Sequence, residues 1–292
     1  MQEDHILRVT AANGMIRAFF ADLRNTVNKA SDIHKTTPVM SAALGRLISA
    51  GAMMGLMLKD KDDLLTLSIK CEGPAKGLLV TADSRGRVKG YANNPYADAE
   101  KKSNGKLNVS GVIGPGSLTI IKDMGLKDAY VGSVELQSGE IAEDIAYYFA
   151  QSEQTPSVVS LGVLVDVDYS IKQAGGFIIQ LVPGATEDII VYLEQKISTI
   201  DNITKLYESG HSSKTLAEML FSEVGYNVLE QVPVEFYCNC SRERVEKALI
   251  AIGKEDLEKI LSEDEKASLN CHFCNKKYDF SKLDLIDLIK AL

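Results

Sequence analysis

The stretch PVMSAALGRLISAGAMMGLML, residues 38–58, decides the fold. It carries a single charge, Arg46, and has small or apolar residues on most faces. As a membrane span it fails, because Arg46 and the interspersed Gly and Ser residues interrupt the apolar run. Pro38 stands where a helix can begin, since its missing N–H would find no intrahelical partner there. The pattern therefore predicts a helix over 39–58 with little polar surface, which must lie across a sheet in the middle of a domain.

The flanking sequence supplies the sheet. Residues 5–12 and 15–22 are rich in strand formers and flank Asn13-Gly14, a dipeptide that favours two-residue hairpin turns. A polar helix is expected over 25–34. Downstream, residues 64–71, 77–82 and 88–91 read as successive strands separated by Gly-Pro and Ser-Arg-Gly turns. Residues 93–106 are polar and read as a loop. Strands over 117–122 and 131–136 precede an amphipathic helix over 140–154, and 158–166 with 171–182 read as a further hairpin. Hairpins mixed with few helices indicate an α+β fold rather than a doubly wound parallel sheet.

The character changes after Pro183-Gly184. Three short helical segments follow, over 186–200, 203–208 and 213–223, punctuated by Gly210, Gly225 and Pro233. They are too apolar for a disordered tether and too short to hold a large core, so they must dock on something, and marginal docking suits a conformational switch. From about residue 232 a small module begins. Ser241 is placed to cap a helix whose Val245, Ala248, Leu249 and Ile252 share one face. Gly253 ends that helix, a second follows around Leu257, and Ser281 with Asp284 starts a last one. The expected organisation is an N-terminal mixed sheet-and-helix domain over 1–184, a metastable helical linker over 185–232, and a C-terminal zinc-binding module over 233–292. A module this small needs a structural metal to supplement its core.

Composition bounds the function. The chain has 292 residues, 45% hydrophobic and 25% charged, as soluble globular proteins do. A net charge of -8 opposes non-specific binding to phosphate backbones, so no nucleic-acid partner is expected. The opening MQEDHILRV lacks the apolar core of a secretion signal. Five cysteines, four of them at metal spacing, do not form the framework of a secreted disulfide protein. A cytoplasmic location without membrane attachment is the expectation.

The chemistry sits in those four cysteines. Cys238-Asn-Cys240 and Cys271-His-Phe-Cys274 are separated by the 30 residues from Ser241 to Asn270. Four thiolates fill a tetrahedral zinc shell, and most such sites are purely structural. Two details favour sensing. The thiols within each pair are near enough in sequence to form a disulfide once the metal leaves, and a bound metal keeps them as thiolates, the form that oxidants attack. Oxidation would remove the metal's contribution to folding, about 10 kcal/mol or more in zinc-finger peptides.

Other residues read as bland. His272 lies inside the second pair and reads as solvent-facing or supporting rather than a ligand. Cys71 reads as a small buried hydrophobe. His5, His34 and His211 are expected at the surface. Gly114-Pro115-Gly116 lacks the Lys-Ser/Thr ending of a phosphate loop and reads as a turn. No catalytic constellation stands out, so no enzyme is expected. Two rival readings stay open: a zinc-ribbon nucleic-acid binder, which needs a basic face, and a thiol–disulfide oxidoreductase, which places a metal-free CxxC at a helix start.

The segment Cys-Asn-Cys-Ser-Arg-Glu-Arg-Val at 238–245 and Cys-His-Phe-Cys at 271–274 resemble the two half-sites of the redox-regulated 33-kDa chaperonin family, heat-shock protein 33. Ser41-Ala-Ala-Leu-Gly-Arg46, Tyr147-Tyr-Phe149 and Gly175-Gly-Phe-Ile-Ile-Gln-Leu181 support the resemblance, which covers nearly the whole chain. It implies an ATP-independent holdase acting under oxidative stress. In the reduced state one zinc ion is held by Cys238, Cys240, Cys271 and Cys274. On oxidation, disulfides Cys238–Cys240 and Cys271–Cys274 form, zinc leaves, the module and linker unfold, and the protein dimerises and captures unfolded clients. Client-binding residues have no local motif. Physical reasoning adds that a holdase needs apolar surface hidden at rest, for which Ile189, Ile190, Leu193, Ile197 and Leu216 are candidates, and that net negative charge helps keep client complexes soluble.

Overall fold

Alternation of apolar residues builds the first hairpin, β1 (His5–Ala11) and β2 (Ile16–Asp22), which pair antiparallel in unbroken register from His5↔Asp22 to Ala11↔Ile16. Their connection is wider than the two-residue turn that Asn13-Gly14 suggests. Ala12 is buried, and its amide donates to the Gly225 carbonyl at 3.0 Å, so a tertiary contact draws Ala12 and Asn13 into left-handed backbone at φ 51 and 53. The computed structural model describes residues 3–200, 202–290 and 292. It divides into two compact units, one ending at Tyr237 and the other Cys238–Leu292.

In the first unit, helices α1 (Arg24–His34) and α2 (Pro38–Gly55) follow the hairpin. Thr37 caps α2, its hydroxyl accepting from the Met40 amide at 3.3 Å, and Pro38 occupies the first turn. Then come β3 (Leu64–Cys71), β4 (Leu78–Asp83), β5 (Arg87–Ala92), the short α3 (Val109–Ile113), β6 (Gly116–Asp123), β7 (Tyr130–Glu135), α4 (Ala142–Ser152), β8 (Ser157–Val165) and β9 (Ile171–Leu181). Helices α5 (Glu187–Ser198), α6 (Ile203–Glu208) and α7 (Ser213–Phe221) occupy the segment read as helical, followed by β10 (Tyr226–Pro233) and β11 (Glu235–Phe236).

Two sheets result. One has the order β10-β1-β2-β9-β8 with every pair antiparallel. The other has the order β11-β5-β4-β3-β6-β7 and is antiparallel except at the two-residue β11–β5 pairing. Helix α2 packs on strands of both, as its nearly all-round apolar sequence requires. A Cβ on Gly45 would lie 2.8 Å from Val163 of the first sheet, and one on Gly51 would lie 2.7 Å from Val80 of the second, so glycines set how closely α2 meets each. The chain is thus α+β. Strands β1, β2 and β9 are buried on both faces: Ile6, Phe19 and Ile178 join the core around α2, while Leu7, Phe20 and Phe177 join a second core under α5–α7.

Among the described residues no helix is long and apolar enough to cross a membrane. Two histidines expected at the surface are buried. His5 lies in β1 with Nδ1 3.0 Å from the Glu3 carbonyl, and His34 ends α1 with Nε2 3.1 Å from the Gly90 carbonyl. Each ring finds a backbone partner, which offsets the cost of burying it. His211 is half-buried beside the Leu206 carbonyl. Cys71 is half-buried against the core around α2, and burial pushes its thiol up.

Candidate metal centre

In the second unit, Ser241 caps α8 (Arg242–Ala251), its hydroxyl accepting from the Arg244 amide at 3.3 Å. After Gly253, at φ 96, α9 (Lys254–Glu263) leads into the hairpin β12 (Ala267–Asn270) and β13 (Lys277–Phe280), and α10 (Lys282–Lys290) closes the unit. Ser281 and Asp284 start α10 reciprocally: the Ser281 amide donates to the Asp284 carboxylate at 2.7 Å and the Asp284 amide to the Ser281 hydroxyl at 3.3 Å.

Among the described residues of this unit the buried apolar ones are Leu249, Leu257, Tyr278, Phe280 and Leu285. Five side chains are a meagre core for 55 residues, and a small module of this kind depends on a cross-link.

Elements on either side deliver the cysteines. Cys238 and Cys240 lie on the extended lead into α8, so the cap at Ser241 fixes the chain one residue after the second thiol. Cys271 and Cys274 occupy the loop of the β12–β13 hairpin. There the Asn275 amide donates to the Cys271 carbonyl at 2.8 Å and the Cys271 amide to the Lys276 carbonyl at 2.9 Å, with Asn275 at φ 57. This tight turn places both sulfurs on one side. Arg242 binds the two halves, a role the sequence reading missed. Its guanidinium stacks 4.3 Å from the Phe280 ring centroid, donates to the Asp279 carbonyl at 2.9 Å, and pairs with Asp284 at 2.8 Å. Only the position of Arg242 at the first turn of a helix beside a ligand pair could have drawn attention to it.

The four sulfurs lie within 4.8 Å of one another, and among the described residues they form the one gathered set of His, Cys, Asp and Glu ligand atoms. Cys238 Sγ is 3.7 Å from Cys271 Sγ, and Cys240 Sγ is 3.3 Å from Cys274 Sγ. A tetrahedral zinc with bonds of about 2.3 Å would separate its sulfurs by about 3.8 Å, whereas a disulfide requires about 2.05 Å. All four thiols are free, and both of these contacts run between the halves. The donor set and spacing therefore fit a metal ion shared by four thiolates. His272 is exposed and outside the set.

Burial pushes the Cys238 and Cys274 thiols up. At Cys240 burial acts in the same direction but is overcome by the Tyr278 hydroxyl, which donates to Sγ at 3.1 Å, and by the neighbouring thiols, which hold it at about 7. The site is therefore set up to give at least one thiolate near neutral pH, the form a metal or an oxidant requires. The CxxC lies in a hairpin loop and shares its sulfurs with two other cysteines, an arrangement unlike the exposed helix-start pair of a thiol–disulfide oxidoreductase.

The family described as Hsp33 protein matches residues 4–281. A 33 kDa chaperonin from Agathobacter rectalis is 50% identical over 285 residues, covering 98% of this chain and 99% of the relative. One from Clostridioides difficile is 47% identical over 290 residues, with 99% of both covered. The crystal structure of a 33 kDa chaperonin, a heat shock protein 33 homologue from Thermotoga maritima, superposes with a TM-score of 0.91 at 33% identity, covering 99% of each chain.

Proposed function

The chain belongs to the Hsp33 family of chaperones, and on that premise we propose that it is a redox-regulated, ATP-independent holdase of the cytoplasm. At rest Cys238, Cys240, Cys271 and Cys274 hold one zinc ion. When bound, zinc cross-links the two halves of the second unit and keeps the sulfurs as thiolates. The observation that carries the reading is that all four sulfurs gather within 4.8 Å in a unit whose described residues include just five buried apolar side chains.

Peroxide supplies the oxidant. In each pair two thiolates give up two electrons, an S–S bond forms as the peroxide O–O bond breaks, and two protons from solvent complete two waters. At rest sulfurs of different halves touch, but once the unit loosens those halves are separated by the 30 residues 241–270. Loop closure then favours the partner two or three positions along the chain. The disulfides are therefore Cys238–Cys240 and Cys271–Cys274.

With the ligands consumed, the module over 233–292 unfolds and the linker over 185–232 leaves the domain over 1–184. The linker's Ile189, Leu193 and Leu216 are buried against Leu7, Phe20 and Phe177, so its departure uncovers a large apolar face. That face captures unfolding clients, and the oxidised protein dimerises. A net charge of -8 keeps the complexes dispersed.

The test treats zinc-loaded protein with peroxide while zinc release, disulfide mapping and suppression of client aggregation are followed together. Zinc release, the two intra-pair disulfides and the onset of suppression are expected to share one time course. Equal suppression by the reduced protein would sink the redox switch, and zinc retained after oxidation would leave the site purely structural.

A further inference from the structure

We propose that β1 is a client-docking edge covered at rest by β10, and that its occupant after activation is an extended segment of an unfolding polypeptide. The inference rests on the reading that the linker, which contains most of β10, leaves the first unit on oxidation. It adds a main-chain contact that burial of apolar side chains does not provide.

The two strands differ in how they are held. Residues 227–231 of β10 are all exposed, with Val228 at 44% and Leu229 at 58%, so little side-chain burial fixes the strand to the sheet. Its attachment is mainly the backbone ladder to β1, from His5↔Pro233 to Ala11↔Tyr226, with an ion pair between Arg8 and Glu230 and half-buried Tyr226 and Val232 at its two ends. β10 also carries features that stop an outer strand from recruiting another. The register shifts between Arg8 and Val9, leaving Leu229 as an extra residue, and Glu230 and Pro233 follow on the same strand.

β1 has almost none of these protections. Ile6 is buried toward α2, Leu7, Val9 and Ala11 are buried on the face under α5–α7, and the pairing with β2 is unbroken over seven residues. Once β10 departs, β1 becomes a sheet edge with a row of unpaired N–H and C=O groups and an apolar face at Leu7, Val9 and Ala11, a template for a foreign strand. Main-chain pairing is indifferent to the partner's sequence, as a general holdase requires, and the alternate side chains of the added strand would continue the apolar face uncovered by α5–α7. The resting structure shows what fits: an antiparallel extended segment of about the length of Tyr226–Pro233.

Hydrogen exchange on the full chain tests this. Three states are compared: zinc-loaded, peroxide-oxidised, and oxidised with a reduced and alkylated protein that cannot refold. The β1 amides directed away from β2 are expected to be protected at rest, to lose protection on oxidation, and to regain it with the client. A synthetic peptide of sequence YNVLEQVP should restore the same protection and block client capture, and one N-methylated on its pairing amides should do neither. Capture of the client with β1 protection unchanged by oxidation would overturn the proposal while leaving the redox switch standing. Protection that returns with rising protein concentration and no client would overturn it in favour of a second copy of the chain. If peroxide neither releases zinc nor starts client capture, the underlying reading fails, and the docking edge with it.

Discussion

On one face of the five-stranded sheet, Ile6, Phe19, Ala21 and Ile178 meet α2, an 18-residue helix that is buried almost along its whole length. On the other face, Leu7, Val9, Phe20 and Phe177 meet α5, α6 and α7, of 12, 6 and 9 residues. Both faces are apolar, yet the first cover is a helix locked between two sheets and the second is three short helices with solvent on their far side. Helices of that length are marginal without tertiary support, so the second cover stands or falls with its docking. On the proposed reading, the same sheet has one permanent lid and one removable lid.

The largest expected effect tests permanence. Leu47 is fully buried in α2, and Leu47→Ala leaves a cavity costing about 2–5 kcal/mol. Urea unfolding followed by circular dichroism should show the whole first unit destabilised by that amount, with metal binding unchanged. A loss confined to α5–α7 would contradict the division.

Next comes the charge that pins α2. The Glu140 carboxylate accepts from Arg46 at 2.7 Å, from Lys102 at 2.5 Å and from the Ser110 amide at 3.3 Å. Partial burial pushes this carboxyl up, but the three donors overcome it and hold it at about 2, against an ordinary value of 4.5. A depressed folded pKa means stability that is full above pH 4.5 and drains away as pH falls toward 2. Glu140→Gln is expected to cost about 1.5–3 kcal/mol at pH 7. The gap between variant and parent in urea midpoint should close on acidification to pH 3 and below. A gap independent of pH would mean the pairing contributes only geometry.

What could be read from sequence follows the same division. Helix α2 was legible because burial on all sides leaves a composition with one charge in 21 residues. The gathering of the four cysteines was legible because ligand chemistry dictates both residue type and spacing. The clamp was not, since Arg46 and Glu140 are 94 positions apart and each is unremarkable in its own segment. Strand β10 was missed for a different reason: its exposed side chains carry no alternation, and only the ladder to β1 makes it a strand. The depth of His5 and His34 was likewise invisible, because backbone carbonyls that satisfy a ring leave no mark on the sequence.

The removable lid can be lifted without oxidant. A Cβ at Gly162 in β8 would lie 2.5 Å from Thr204 Cγ2 and 2.7 Å from Ile203 Cγ2, both on α6. Gly162→Val therefore wedges α6 off the sheet, at about 1–3 kcal/mol of overpacking, while the sheet itself accepts a β-branched residue. Reduced, zinc-loaded Gly162→Val is expected to suppress client aggregation that the parent protein leaves unchecked. If it stays inactive while hydrogen exchange shows α6 released, the face under the linker helices is not the client surface.

The smallest effect concerns one hydroxyl. Tyr207 of α6 is buried and donates to the Ala21 carbonyl of β2 at 2.7 Å, and burial pushes its pKa up, so it remains a donor at any physiological pH. Among the described residues of α6 this bond reaches the middle of the sheet, whereas Tyr192 of α5 donates only to the Leu220 carbonyl of neighbouring α7, at 2.8 Å. Tyr207→Phe keeps the ring and its packing and removes about 0.5–1.5 kcal/mol of docking. That is too little to release the lid, but it should raise the population of the undocked linker about two- to tenfold, because 1.4 kcal/mol corresponds to a factor of 10. Hydrogen exchange in α5–α7 should quicken by that factor while α2 is unchanged, and activation by peroxide should come sooner. Equal quickening under both covers would mean that the two faces open together, and the distinction between a fixed and a removable lid would have to be abandoned.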